Sequence, residues 1–308
     1  MASGWEVATL AYPAAAREVM VNDGWVVWTE GLPELAASRL IALNRTTNEL
    51  RIWNSPLNGH PLFLPYYALD GSTVRFTVAR LGASRDEVQS TEIIQWDLPS
   101  GQVSRILHTY NQRPVLESVD WPWALVSTDH NAAVLVNISA NSVVPIASEM
   151  SGSRMMLHNG FLLAIVREAD GSYVRIQDLA NGAATSEILD SGPDLELAIQ
   201  VGDGIMRVTL AHLEYRRGNG QHFAIDLNGA DSGRVHISVD KPVAAWQGPG
   251  RLLYADLAAA SSVVVLEGEF RPGMDIHGDC IFFSQLIDTR HGPQMALRMV
   301  RPNSGVPC

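Results

Sequence analysis

The chain has 308 residues, a formal net charge of −11 and a hydrophobic content of 46%. No apolar run reaches the roughly 18 residues expected of a membrane span, and the acidic balance argues against nucleic-acid binding as the main task. Lys241 is the only lysine. A Gly-Lys-Ser/Thr phosphate loop is therefore excluded, and Schiff-base chemistry would have to use this one residue.

In chain order, the sequence predicts short strands joined by tight turns of Asp, Asn or Gly. Seven of these turns each separate two apolar runs. They are Asp23-Gly24, Asp70-Gly71, Asp120-Trp121, Asn159-Gly160, Asp203-Gly204, Gly248 to Gly250, and Gly278-Asp279. Small and Asx residues supply the positive φ that a tight hairpin needs, so the pattern indicates one supersecondary unit repeated along the chain.

A second turn follows a later strand in each repeat. It occurs at 44–48, 97–101, 137–141, 178–182, 226–229, 256–261 and 300–305. Together the two turns predict four strands, a to d, in each unit, and no helical period is long enough for a parallel α/β fold. Radially repeated four-stranded meanders are the blades of a β-propeller.

The sequence therefore predicts an all-β, seven-bladed β-propeller that forms a single domain. The predicted blades are 17–55, 62–110, 114–149, 153–190, 194–238, 241–270, and 272–305 together with 4–11. The last repeat ends after its third strand, and the run from Trp5 to Leu10 belongs to no other blade. We expect this N-terminal strand to complete the last blade, because pairing removes exposed strand edges. The short sixth repeat leaves room for about three strands, so a six-bladed propeller is the alternative.

The repeats also resemble a known superfamily. The run LDGSTVRFTVAR, from Leu69 to Arg80, and the run IIQWDLPSG, from Ile93 to Gly101, resemble the aspartate-glycine repeats of TolB-type propellers and, more distantly, WD-repeat blades. The resemblance covers most of the chain. It implies a β-propeller fold but no particular activity, because propellers carry many functions.

Cys280 and Cys308 are the two cysteines. The predicted turns place both near one end of adjacent strands in the last blade, which makes them a candidate disulfide that would hold the C-terminus. A disulfide indicates an oxidising compartment. No signal peptide is visible. Because of the candidate disulfide, we expect an extracytoplasmic protein whose signal or anchor segment is not in this chain. A cytosolic protein without a disulfide is the alternative.

The predicted ligand-binding face is built from the b–c loops and the d–a connections. This assignment gathers cationic and aromatic side chains that suit carboxylates or sulfates on a glycan. The candidates are Arg85, Arg113, Arg216, Arg217, Arg290, His60 and Tyr110. We therefore expect a ligand- or partner-binding propeller that uses its loop-rich face for a small molecule, a glycan or a protein, with acidic glycans as one candidate ligand class. A monomer is expected.

A carbohydrate-active enzyme is the alternative function, and a scaffold or sensor domain of a larger envelope protein is the second alternative. The segment from His212 to Arg217 was assigned to a loop, with His291 near it on the last blade. His212, Tyr215 and His291 are the catalytic candidates for a polysaccharide lyase or hydrolase, since a lyase needs proton transfer beside a neutralised uronate. The sequence carries no known metal or cofactor motif, and we expect neither group.

Overall fold

A computed structural model describes residues 2–13, 16–31, 38–54, 61–81, 88–110, 115–127, 133–150, 154–180, 186–227, 230, 235–238 and 241–303. These residues form β-strands, turns and one turn of 3-10 helix at Ser148–Met150. The described ranges contain no α-helix. No helix among them is long and apolar enough to cross a membrane.

The described part of the chain forms 28 strands. In chain order they are β1 (Trp5–Ala11), β2 (Ala16–Val21), β3 (Trp25–Gly31), β4 (Ser38–Asn44), β5 (Leu50–Asn54), β6 (Pro61–Asp70), β7 (Thr73–Leu81), β8 (Val88–Asp97), β9 (Val103–Tyr110), β10 (Val115–Asp120), β11 (Trp123–Ser127), β12 (Ala133–Asn137), β13 (Ser142–Val144), β14 (Arg154–His158), β15 (Phe161–Glu168), β16 (Gly171–Asp178), β17 (Glu187–Gly192), β18 (Leu195–Val201), β19 (Gly204–Thr209), β20 (His212–Arg217), β21 (His222–Asp226), β22 (Val235–Ile237), β23 (Val243–Gly248), β24 (Arg251–Asp256), β25 (Ser261–Glu267), β26 (Phe270–His277), β27 (Cys280–Thr289) and β28 (Gly292–Pro302).

The strands pair into seven four-stranded antiparallel sheets. Their orders are β2-β3-β4-β5, β6-β7-β8-β9, β10-β11-β12-β13, β14-β15-β16-β17, β18-β19-β20-β21, β22-β23-β24-β25 and β26-β27-β28-β1. Each sheet is a meander and therefore a propeller blade. The predicted all-β fold with seven blades is confirmed.

The residues fall into two compact units. The first consists of Met1–Gly31, Leu43–Asn48 and Asp194–Cys308, and the second consists of Leu32–Ala42 and Glu49–Pro193. Blades five, six and seven lie wholly in the first unit, and blades two, three and four lie in the second.

In the first unit, the N-terminal strand completes the last blade. β1 pairs antiparallel with β28 from Trp5 opposite Pro302 to Ala11 opposite Leu297. The indole of Trp5 packs edge-on against Tyr254, with ring centroids 4.9 Å apart. The predicted pairing is confirmed, and it gives β28 partners on both of its edges.

Blades six and seven are also joined through a single carboxylate. Asp279, in the a–b turn of the last blade, accepts hydrogen bonds from Lys241 Nζ at 2.6 Å and from Tyr254 Oη at 3.0 Å. Burial and the nearby Asp279 charge raise the pKa of Tyr254 well above its usual value. The phenol therefore remains a hydrogen-bond donor across the ordinary pH range.

The recurring Asx residues act as turn formers. Asn44 Oδ1 accepts the backbone N–H groups of Thr46 and Thr47, both at 2.9 Å, in the turn that follows β4. Asp97 makes the corresponding bond to the Ser100 N–H at 3.0 Å, and its hydrogen bonds to Ser100 lower its pKa. These bonds satisfy the backbone donors that leave the sheet. A role in ligand binding is not needed to explain them.

Blade six differs from its prediction. Val235–Ile237, which had been placed at the end of blade five, is strand a of blade six and pairs with β23. The Gly248 to Gly250 turn joins β23 to β24 and is a b–c hairpin, whereas an a–b turn was predicted. The sixth repeat therefore has four strands, and the six-bladed alternative is wrong.

Blade five also differs in its second half. The segment 212–221, predicted as a b–c loop, contains strand β20 and a tight c–d turn at 218–221. The Asp226 to Gly229 mark, predicted as a c–d turn, begins at Asp226, which is the last residue of strand d. Polar and charged residues occupy these strands because only one side of the hairpin is buried.

A close approach of backbone and side chain fixes the a–b hairpin of blade five. A Cβ atom at Gly204 would lie 2.5 Å from the carbonyl oxygen of Arg216 and 2.6 Å from a ring carbon of Tyr215. Neither neighbour is free to move, because the first is backbone and the second is a fully buried ring. Only glycine fits at this position.

Deleting residues 1–11 should lower the free energy of unfolding by several kcal/mol, since it removes the partner of β28 and the half-buried Trp5 ring that packs on the core. Urea unfolding followed by circular dichroism measures the change. Glu6→Gln is the control, because it removes only a half-exposed ion pair with Arg301 and should cost less than about 1 kcal/mol. An unchanged midpoint in the deletion variant would contradict a structural role for β1.

Gly204→Ala should destabilise the protein by about 1–3 kcal/mol, because an added methyl group has no room in a well-packed site. Gly24→Ala is the matched control. It lies in the corresponding turn of blade one, and its nearest neighbour would be Asn22 Oδ1 at 3.9 Å. Thermal unfolding of both variants is the measurement, and equal shifts in melting temperature would show that the overlap at Gly204 is relieved.

Candidate functional site

Several predicted ligand-binding residues cannot be placed. His60, Arg85 and Arg113 lie outside the described residues. Tyr110 ends strand β9, and nothing further is described of its side chain. Their assignment to a ligand-binding face stays a prediction.

The cluster predicted in blade five is a strand whose side chains point to alternate sides. Tyr215 is 1% exposed and packs with Leu213 in the core between blades five and six. Its hydroxyl donates to Asp203 Oδ1 at 2.8 Å. Burial, followed by the Asp203 contacts, raises the pKa of Tyr215. The segment is strand β20, so the loop assignment of this cluster is wrong, and the phenol faces the core.

The opposite side of the same hairpin carries a network centred on Glu214. Its carboxylate receives Arg207 Nη1 at 2.6 Å and His222 Nε2 at 3.3 Å, and Arg216 Nη2 lies 3.7 Å away. Burial opposes ionisation of Glu214, but the bonds and charges of Arg207 and His222 outweigh it and lower the pKa of this carboxyl. Arg216 is thus partly committed to a neighbour within its own blade.

The remaining candidates are on other turns. His212 begins β20 beside the b–c turn of blade five and is exposed. Arg217 ends the same strand, five residues later in the sequence, next to the c–d turn. Arg290 and His291 form the b–c hairpin of the last blade and are exposed, with the His291 N–H bonded to Thr289 Oγ1 at 3.1 Å.

The structure therefore does not bring the three catalytic candidates together at one place. His212 and His291 belong to different sheets, and Tyr215 is turned into the core. Cys280 is disulfide-bonded. Cys308 lies outside the described residues, so its pairing with Cys280 stays a prediction.

A pocket lies beside the b–c hairpin of blade six, against blade five. Its volume is about 460 Å³. It is lined by Leu227, Gly248, Pro249, Arg251, Leu253 and residues 262–264. The size is in the usual range for a small-molecule site, and aliphatic walls with a few polar groups are typical of such sites.

Local backbone features shape this pocket. Gly250 has a φ of 65°, which closes the hairpin and places Arg251 at the start of β24. The β24–β25 register shifts after the Leu252–Leu266 pair, so that Leu253 lies opposite Val264. Such a bulge twists an edge strand away from its neighbour. The outer strand thus forms one wall of an open pocket.

Arg251 supplies the cationic group of the pocket. Its side chain is exposed, and no ion pair joins it to a carboxylate within the described part of the chain. Glu267 is its cross-strand partner in register. Sequence reasoning missed Arg251 because the Gly248 to Gly250 turn was given to the wrong end of the blade. The Asp-Lys-Pro turn at 240–242, just before the apolar run of β23, was the signal for the correct assignment.

Comparison with known proteins identifies the fold class. No protein-family model matches the chain, and no curated protein matches it. Among solved structures, the β-propeller domain of the Trilobed protease from Pyrococcus furiosus, described as having an open velcro topology, matches with a TM-score of 0.60 and 12% identity over 96% of this chain and 97% of that one.

Two further structures are similar. The Pyrococcus horikoshii acylaminoacyl peptidase matches with a TM-score of 0.60 and 14% identity over 93% of this chain and 51% of that one. The computationally designed Ika8 protein matches with a TM-score of 0.50 and 10% identity over 96% and 99%. This chain spans about half the length of the peptidase. At these identities the matches show a β-propeller, while membership of the TolB or WD-repeat group stays a prediction.

Glu214→Gln should lower the free energy of unfolding by about 1.5–3 kcal/mol at pH 7, because Arg207 loses a charged partner in a buried setting. The folded-state pKa of Glu214 is lowered, so the stabilisation exists above the unfolded pKa of about 4.3 and is lost as pH falls through the folded value. The difference in unfolding free energy between wild type and Glu214→Gln should therefore disappear toward pH 3.

Urea midpoints measured between pH 3 and pH 7 test this pattern. Glu168→Gln is the control, since Glu168 is half-exposed and 3.9 Å from Arg175. Its effect should stay below about 1 kcal/mol at every pH. A gap for Glu214→Gln that is constant with pH would contradict the ionic role of this carboxylate.

Proposed function

We propose that this protein is a non-catalytic binding propeller that holds a carboxylate-bearing ligand in the pocket of blade six. The single observation that carries the proposal is the exposed Arg251 guanidinium, which has no ion pair within the described residues and lines a pocket whose other large side chains are aliphatic. A guanidinium presents a planar fork of donors that matches a carboxylate in a bidentate geometry. Arg251 is the anchoring group.

The walls of the pocket favour a ligand with an apolar surface. Leu227, Leu253 and Val263 provide aliphatic contacts, while Ser262 is the second polar side chain of the lining. A uronate sugar combines a carboxylate with the C–H face of its ring, so an acidic glycan is our finer proposal. The ring would pack on the aliphatic wall, and the carboxylate would pair with Arg251.

The position of the pocket agrees with the predicted loop-rich face. Arg251 follows a b–c hairpin, as His212 does in blade five, and Arg290 and His291 form the b–c hairpin of blade seven. These four side chains therefore lie at the same end of their respective sheets. They supply further cations and hydrogen-bond donors for a ligand longer than one sugar.

An extracytoplasmic location is part of the proposal. The disulfide at Cys280 supports it, because disulfides persist mainly in oxidising compartments. Acidic polysaccharides are extracellular polymers in general, and a binding propeller for them would work in the same compartment as its ligand.

The test is isothermal titration calorimetry with trigalacturonate and its methyl ester, in which each carboxylate is replaced by a neutral ester with one added methyl group. Wild type should bind the acid at least about tenfold more tightly than the ester. Arg251→Gln should remove that preference, Arg251→Lys should restore part of it, and Glu267→Gln should increase affinity for the acid by removing a like charge near Arg251. Arg301→Gln is the control, since Arg301 is a half-exposed arginine of the last blade that is paired with Glu6 and does not line the pocket.

Octanoate serves as a second carboxylate probe without a sugar. Binding of octanoate but not trigalacturonate would support a carboxylate site at Arg251 and would overturn the proposal that its ligand is a glycan. Equal affinity for the acid and the ester, no effect of Arg251→Gln, or no binding of either carboxylate would overturn the proposed function.

A further inference from the structure

A second groove lies in the second unit, between the facing sides of blades two and three. Its volume is about 390 Å³. The floor and walls are aliphatic and come from both blades. They include Ile93, Ile106, Leu107, Leu116, Val136 and Ile138. Three further side chains, Val119, Ala124 and Val126, form one apolar cluster with all of these except Val136.

Unequal strand lengths leave this groove open. The two outer strands of blade two, β8 and β9, have ten and eight residues, whereas β12 and β13 of blade three have five and three. The register of β8 and β9 also shifts, so that Ile106 is an extra residue between the Leu107 and Arg105 pairs. Ile106 and Leu107 therefore both line the groove, and the short strands of blade three cannot cover them.

An indole stands at the rim of the groove in a fixed position. Trp121 is 46% exposed, and the Arg75 guanidinium lies 4.4 Å from its ring centroid. Arg75 is itself buried and held by Asp70 Oδ2 and Gln95 Oε1, both at 3.0 Å. A cation stacked on one face of an indole stabilises that orientation. Trp121 thus presents a large contact surface that needs little ordering on binding.

The charge exposed at the groove is positive. Arg105 pairs with Glu92 at 2.8 Å, but the Arg105 side chain is 57% exposed whereas that of Glu92 is 17% exposed. The other arginine of the lining, Arg75, is neutralised by Asp70 behind the indole. On a chain with a net charge of −11, an outward guanidinium beside an apolar groove complements an acidic group.

The lining selects a peptide over a sugar. Besides its two arginines, the lining carries the polar side chains of Gln95, Ser104 and Asn141, and those of Ser104 and Asn141 can pair with a peptide backbone. A sugar seated on the aliphatic floor would leave hydroxyl groups without partners, which costs free energy, whereas an aliphatic side chain would not. Exposed Val103 and Val143 on β9 and β13 extend the apolar surface beyond the groove.

We propose that the groove between blades two and three binds an extended peptide segment of a partner protein, with aliphatic side chains in the groove and an acidic residue on Arg105. Trp121 is the central contact, since exposed aromatic residues in such positions carry much of the binding energy. The site shares no residue with the Arg251 pocket, and it stands whether or not the proposed function is correct.

Immobilised full-length protein and three pooled heptapeptide libraries test the inference. The first library contains aliphatic residues mixed with Asp or Glu in random order. In the second library Lys replaces the acidic residues, and in the third Ser replaces the aliphatic residues. The first library should be retained and the other two should not. No retention of the first library, or equal retention of the second or third, would overturn the proposal.

Fluorescence polarisation with the most enriched peptide then locates the site. Trp121→Ala should weaken binding by about tenfold, and Arg105→Glu should shift the preference to the Lys form of the same peptide. Leu210→Ala, an equally exposed apolar residue of blade five, should bind as wild type does. Circular dichroism establishes that each variant is folded.

Arg251→Gln separates this site from the first one. It should bind the peptide with wild-type affinity, since the acidic residues of the probe are expected on Arg105. A loss of binding in Arg251→Gln, or wild-type binding in both Trp121→Ala and Arg105→Glu, would place the peptide elsewhere and overturn the inference. Displacement of the peptide by cellotriose would likewise show that the groove is a sugar site.

Discussion

The position of every functional group in this protein follows from one constraint, which is that consecutive strands pair antiparallel with their neighbours along the chain. This order sends the a–b and c–d turns to one end of each sheet and the b–c turns to the other. The predicted position of a residue therefore moves from one end of the sheet to the other when its turn is assigned to a different hairpin. Arg251 is the case that matters most, because its turn decides whether it lies among structural Asx residues or beside the pocket of blade six.

The repeated turns were sufficient to predict the fold. Asp, Asn and Gly mark backbone with unusual φ values, and hairpin pairing follows from them over short distances. The unpaired first strand was predictable for the same reason, since β28 would otherwise expose an edge. These features depend on local sequence, and local sequence is what a single chain displays.

The errors in the prediction of blade six arose because the turn itself was identified correctly but was assigned to the wrong pair of strands. Gly248 to Gly250 is a tight turn in either hairpin, and a residue that tolerates positive φ does not tell which strands it joins. In blade five the polar sequence from His212 to Arg217 suggested a loop, although Leu213 and Tyr215 repeat with the period of a strand and are buried. The groove of blades two and three could not be predicted at all, because it depends on strand lengths in two blades and on a bulge at Ile106.

The contact between Lys241 and Asp279 gives the chain a built-in reporter. Because Lys241 is the only lysine, its ammonium is the only side-chain primary amine available to acylating reagents. The same carboxylate that binds it also accepts the Tyr254 hydroxyl, so Lys241 lies at the contact between blades six and seven. A single chemical label at this residue can thus follow the opening of that blade contact without any change to the sequence.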